Sequence, residues 1–403
     1  MDVTLQNGLL LLLIASVVAM LCRRLRLPYS AGLVAAGLSI AAIPYGPRFR
    51  VTQDLIFTVL LPPLLFEAAL YLNWRQVQRD FPVVATLATL GVVISVGVTA
   101  AGMHFAAHWE WSAALVFGAL IAATDPVAVI ATFRDAKAHG RLMVLIESES
   151  LFNDGTASVA FALVVGAITG QSVTTMDVAA TLVRMVGGGI LCGALVGFAT
   201  ILLAGRTEDH LVEITLTTIA AFGSFLLADH LGLSGVLATI TAGMAMANFT
   251  RRGQISPRGE AAVRAFWEYA AFVANSVVFL LIGASGESHG FSIFPAMVAV
   301  AAVVVSRAAA IYPCCLLFLR SSLQVSMKRQ NALVWGGLRG AVALALALGL
   351  PDSVPRRSEI QMVSFAVVGF SVFVQGLTMA PLLRRIGEIP RNDDAQEDAE
   401  PNG

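Results

Sequence analysis

Apolar residues in this chain come in long blocks, and the blocks have the length that a hydrocarbon core of about 30 Å demands of a helix, roughly 17 to 25 residues. Read this way, the spans fall at 7–22, 29–43, 53–72, 81–105, 112–133, 142–170, 178–204, 211–231, 235–249, 266–285, 291–318, 331–350 and 359–383. The second and ninth are short for a full crossing. Three polar interruptions lie within blocks: 121-IAATDPVAVI-130, 147-ESESLFNDGTAS-158 and 335-WGGLRGAVALALAL-348. By composition the middle one, with its Asn153-Asp154-Gly155, reads as a tight turn. The span count is thirteen only if that stretch lies inside a helix.

The distribution of basic residues decides between loop and helix, because cytoplasmic loops collect Lys and Arg. With thirteen spans and the N-terminus outside, nineteen of the twenty-six Lys and Arg fall in inside loops. Four fall outside, and Arg184, Arg307 and Arg339 lie within spans. If 147–158 were a loop, residues 159–170 alone would be too short to cross, and every later loop would change side. The stretch therefore belongs to a membrane helix. Counting inward at the helical rise puts Asp154 about 18 Å deep, Asp125 about 20 Å and Glu67 about 21 Å. Three carboxylates on three spans reach one level, where an ionisable group is costly and faces a cavity or a partner.

Residues four apart share a helix face, so Ser150 pairs with Asp154, and Glu149 with Asn153 about 100° round. A hydroxyl one turn from a carboxylate is an oxygen-ligand pair for a small cation, with Glu149 and Asn153 as its support. Glu147 lies nearer the cytoplasmic mouth, where solvated, access and binding roles are all open. Pro126 predicts a break in the fifth span, freeing backbone carbonyls at midplane depth. Asp125, just before the second half-helix, either compensates that helix's positive end or binds the transported ion. Gly336, Gly337 and Gly340 predict a second break around Arg339 in the twelfth span. The two broken spans enter from opposite sides, so spans one to six and eight to thirteen read as inverted-topology six-helix repeats of an all-α polytopic membrane protein. The corresponding domains are 7–170, a connector 178–204, and 211–385 within a membrane unit 1–385, followed by a short tail 386–403. Arg307, deep in the eleventh span, needs a buried anion, with Glu149 and Glu67 as candidates.

Composition agrees: 57% of the 403 residues are hydrophobic and 13% charged, with mean hydropathy +0.79. A net charge of zero gives no reason to expect nucleic acid. Cys22, Cys192, Cys314 and Cys315 lack metal-ligand or disulfide-framework spacing and read as packing residues. In the N-terminal apolar run Arg23, Arg24 and Arg26 follow the hydrophobic stretch, so it reads as a first span instead of a signal peptide. The basic, partly amphipathic 251–270 suits a positive-inside linker or a lipid-facing segment. Glu213 and Asp229 are expected in water at the ends of the eighth span. His139 and His210 are solvated loop histidines or pH sensors. An intramembrane hydrolase would need a base near Ser148 or Ser150, but the six histidines fall at span ends or in loops. A cation channel also uses midplane carboxylates, although opposed broken helices favour a transporter.

Together, ESES before FNDG, ATDPVAV one helix upstream, and GGLRGAVALALAL near the C-terminus resemble the cation:proton antiporter-1 family, the NhaP-type bacterial sodium/proton exchangers. The resemblance runs from about residue 7 to 385. It implies the NhaA/NhaP-like antiporter fold, a homodimer in the inner (plasma) membrane with cytoplasmic C-terminus, and a core domain moving in an elevator-like fashion. It implies an ion- and proton-binding Asp154 with Asn153 as companion, and Ser150, the Thr124 carbonyl and Glu67 around sodium. It further implies that Glu149 pairs with Arg307, while Asp125 and Arg339 stabilise the broken helices. The expected activity is exchange of sodium, or lithium, for protons, one for one and electroneutral, in sodium and pH homeostasis; potassium/proton exchange on the same fold is the alternative. No cofactor is expected beyond the transported ions, and the short acidic tail argues against calmodulin-type regulation.

Overall fold

A computed structural model of the chain describes residues 3–25, 28–41, 55–72, 74–136, 138, 140–168, 175–250, 257–284 and 293–390, and among these the regular structure is entirely helical. Helices α1 (Val3–Leu25) and α2 (Tyr29–Ala41) are followed by a π-helical turn, Leu55–Leu60, that runs into α3 (Leu61–Tyr71). Helix α4 (Trp74–Thr86) continues through a π-helical turn, Leu87–Gly91, into α5 (Val92–Ala107). Next come α6 (Trp111–Ile121), α7 (Val127–Asp135), α8 (Arg141–Ile168) and α9 (Thr175–Ala204). Helix α10 (His210–Thr218) joins α11 (Ser224–His230) through the π-helical Ile219–Gly223. After α12 (Gly235–Thr250), α13 (Pro257–Ala284) and α14 (Ile293–Leu316) come α15 (Met327–Trp335) and α16 (Ala341–Leu348). Helix α17 (Arg357–Phe370) joins α18 (Gly376–Ile386) through the π-helical Ser371–Gln375.

Eight of the described helical stretches are long and apolar enough to cross a membrane, and four more apolar helices are shorter. Residues 142–158, including the Asn-Asp-Gly that resembled a turn, lie within the unbroken α8. Two boundaries differ from the hydropathy reading. Helix α4 starts seven residues before 81, because its first two turns, WRQVQRD, are amphipathic and bury Val77 and Asp80 while leaving their arginines exposed. Helix α13 starts nine residues before 266, so 257–265 is no linker: Arg264 there binds Glu260 one turn away at 2.9 Å. Glu213 is not in water but fully buried. Helix α10 turns that face onto α13, where Trp267 Nε1 donates to Thr217 Oγ1 at 2.9 Å. Expectations for Arg26, Arg48, Arg50, Lys137, His139, Arg251, Arg252, His289 and the tail beyond 390 lie outside the described residues.

The helices pack in two groups. Helices α1–α3 and α9–α13 contact chiefly one another, and α4–α8 with α14–α18 do likewise. Within the first group, Gly189, Gly193 and Gly197 recur every four residues on α9 and face α12. A Cβ on Gly189 would stand 2.7 Å from the Ser234 carbonyl oxygen, and one on Gly193 would overlap the Ala238 backbone. Lipid offers no hydrophobic reason for helices to associate, so close backbone approach of this kind supplies the packing contacts. Outward faces carry large apolar side chains such as Leu13, Val183 and Leu195, all more than half exposed, as a lipid environment favours.

Candidate ion-binding site

The two interruptions meet. Helix α6 stops at Ile121 and α7 begins after Pro126, whose missing N–H and ring disfavour a continuous helix. Helix α15 stops at Trp335 and α16 begins at Ala341. Asp125 N–H donates to the Leu338 carbonyl at 2.9 Å, joining the unwound segments. The Asp125 carboxylate accepts from Val127 N–H at 2.9 Å and lies against Gly340, the residue that precedes α16. One carboxylate thus sits on the positive ends of both α7 and α16. The negative ends have matching donors. Arg339 Nη1 donates to the Ala122 and Ala123 carbonyls at 3.0 and 3.2 Å. At the end of α15, Arg307 Nε reaches the Leu333 carbonyl and Gln375 Nε2 the Trp335 carbonyl, both at 3.2 Å.

Helix α8 supplies the other wall, and its two polar faces are wired differently. Of the two anions open to Arg307, the structure brings Glu149: both carboxylate oxygens accept guanidinium N–H bonds at 2.7 Å, and Glu149 is completely buried. Asn153 Nδ2 donates to the same Glu149 at 3.1 Å. On the neighbouring face Thr124 Oγ1 donates to Ser150 Oγ at 3.1 Å. Asp154, 7% exposed, keeps Oδ1 without a hydrogen-bond partner among the described residues. A buried carboxylate oxygen left open is a costly feature in a membrane helix, and it marks where a cation or proton would be held.

Asp154 faces a cavity of about 420 Å³ that lies between the two helix groups. Asp154, Leu151 and Glu147 line it from one stripe of α8; Val127, Ile130, Ala131 and Arg134 from α7; Glu268, Ala271, Phe272 and Asn275 from α13. Glu67 of α3 faces it, and Thr124 and Asp125 line it at the first break. Ser150, Asn153, Glu149, Arg307 and Arg339 lie behind this lining; Ser150 connects to it through Thr124. The residues that sequence reasoning missed are Arg134, Glu268 and Asn275. Their signal was helical spacing: on both α7 and α13 the lining residues fall at i, i+3, i+4 and i+7, so one cavity-facing residue indicates the others. An all-oxygen site of one carboxylate, hydroxyls and unwound carbonyls suits a small hard cation. Among the described residues no cluster of three His, Cys, Asp or Glu could hold a metal ion.

The transmembrane sodium/hydrogen exchanger family matches residues 10–385. A Synechocystis protein named low-affinity Na(+)/H(+) antiporter NhaS1 is 39% identical over 381 residues, spanning 91% of this chain and 71% of its own. The Na(+)/H(+) antiporter NhaP of Pseudomonas aeruginosa is 33% identical over 392 residues, 90% of this chain and 92% of that one. The solved structure of the sodium proton antiporter MjNhaP1 from Methanocaldococcus jannaschii superposes with a TM-score of 0.75, covering 95% of this chain and 96% of that one. At 20% identity this last likeness concerns the fold alone.

Proposed function

The chain belongs to the transmembrane sodium/hydrogen exchanger family, and from that premise and the cavity we propose that it exchanges sodium for protons at Asp154 by alternating access. The observation that carries the reading is the open Oδ1 of Asp154, buried at the inner end of a cavity that also holds Thr124 and Glu67. The carboxylate holds sodium or a proton but not both, so each reorientation carries one of them and the two gradients are coupled. The Thr124 carbonyl, freed by the break at Pro126, and the Ser150 hydroxyl complete the shell around sodium, with Glu67 opposite through water. Asn153 is neutral, which leaves one titrating carboxylate per cycle and an electroneutral one-for-one exchange serving sodium and pH homeostasis.

In this reading thirteen spans form two inverted repeats, with the protein as a homodimer in the inner (plasma) membrane, N-terminus outside. Of the residues lining the cavity, Val127, Ala131 and Arg134 of α7 are exposed. With Arg134 and Arg141 on the cytoplasmic side, as the basic-loop asymmetry favours, this conformation opens inward.

Purified protein in liposomes with a lumenal pH dye tests the reading. An imposed sodium gradient should move the lumenal pH, and Asp154→Asn should reduce the signal to that of empty liposomes while still assembling. Full-rate exchange by that variant removes Asp154 from the mechanism. Replacing sodium by lithium and then potassium decides selectivity, and a rate unaffected by valinomycin and potassium shows electroneutrality.

A further inference from the structure

The outer part of the cavity has its own chemistry. Glu147 lies seven residues before Asp154 on α8, about 10 Å nearer the mouth and on the same face. It is 9% exposed, lines the cavity, and has no hydrogen-bond or ion-pair partner among the described residues. Glu67 faces the same space from α3, equally without such a partner. A third carboxylate, Glu268, accepts a hydrogen bond from the Tyr71 hydroxyl. The nearest cation is not used to pair them. Arg134 instead holds its guanidinium 5.2 Å from the centre of the Tyr71 ring, and Arg264 stands at the same distance from that ring while bound to Glu260. The buried Glu147 and the half-buried Glu67 thus face the cavity with a guanidinium parked beside them.

We propose that Glu147 and Glu67 form an outer station for a hydrated monovalent cation, two helical turns nearer the mouth than Asp154, and that Arg134 competes with the cation for it. This rests on the exchange reading above. Carboxylates outnumber Arg134 among the residues that line the cavity, and such an excess of one sign of charge concentrates counter-ions, so the station raises cation occupancy ahead of Asp154. Arg134 lowers it whenever the guanidinium leaves Tyr71 and turns toward the carboxylates. Glu67 faces both stations.

Sodium-dependent exchange by the reconstituted full chain, measured against sodium concentration at ionic strength held constant with choline chloride, tests this. Glu147→Gln should raise the KM for sodium about three- to tenfold with a smaller change in kcat, and Arg134→Gln should lower KM. Opposite shifts at neighbouring positions are not what structural damage produces. In detergent, Asp154→Asn should keep weak binding of radioactive sodium that disappears on adding Glu147→Gln. An unchanged KM in both variants, or a rise in both, overturns the station. If Glu147→Gln fails to assemble, the direction of the Arg134→Gln shift decides alone. Wild type that does not exchange sodium for protons sinks the exchange reading itself, whereas a wild type that exchanges while KM stays fixed sinks only the station.

Discussion

Glu149 and Arg307 make a buried ion pair whose two charges are desolvated together, so its contribution shows best when one partner is removed. Truncating Glu149 leaves the Arg307 guanidinium, 7% exposed, without its bidentate acceptor, which typically costs about 3–5 kcal/mol. Glu149→Ala should therefore lower the melting temperature in detergent well below wild type, and adding Arg307→Met should recover part of the loss. Equal melting temperatures for wild type and Glu149→Ala would count against this role. At this scale the sequence was informative wherever spacing and depth acted together. The four-residue steps from Glu149 to Asn153 and from Ser150 to Asp154 identified two polar faces, and the folded helix gives them different partners. The choice between Glu149 and Glu67 for Arg307 was not legible, because it depends on how α14 packs against α8. Glu213 misled for the same reason: its position near a span end says nothing about the helix that covers it.

The unit above the residue is the broken helix, and each break has a dedicated cause. Pro126 ends the first; the second depends on glycines that leave room for the first. A Cβ on Gly340 would overlap the Asp125 carboxylate, and one on Gly337 would overlap Arg307. Gly340→Ala should consequently displace Asp125 from the α16 terminus, reducing exchange severely and lowering the melting temperature. Gly97 on the exposed side of α5 is the control, since a Cβ there meets nothing within 4 Å. Gly97→Ala should be neutral or slightly stabilising, by up to about 1 kcal/mol. Gly340→Ala behaving like Gly97→Ala in both transport and melting would show that the crossing tolerates the displacement. Both interruptions were visible in the sequence because proline and clustered glycines act on their own backbone. Their mutual contact, Asp125 N–H on the Leu338 carbonyl, was not, since nothing local reports which distant segment receives a freed carbonyl. The four π-helical turns were also missed: an extra residue in a helical turn leaves hydropathy unchanged. Thr156 Oγ1, donating to the Ala88 carbonyl in one of these turns, shows how a neighbouring helix uses the irregularity.

At the scale of the molecule, the cavity lies along the seam between two packing groups, so exchange of its access from one side to the other requires the seam to move. The α3 and α13 wall belongs to one group and the α7, α8 and α16 wall to the other. Ala131 on α7 and Ala271 on α13 face the cavity from opposite groups, and the four native cysteines are all buried. Those facts allow a direct test of relative motion. Ala131→Cys with Ala271→Cys, joined by a flexible bismaleimide containing an internal disulfide, should lose exchange when linked. Reduction should restore it, because the severed arms remain attached while the tie between the groups is gone. Arrest that persists after reduction would point to occlusion of the cavity by the reagent, and each single-cysteine variant carrying the same reagent measures that effect separately. Undiminished exchange by protein shown to be fully linked would mean that the two groups need not separate during the cycle, and that access to Asp154 changes by movement within one of them.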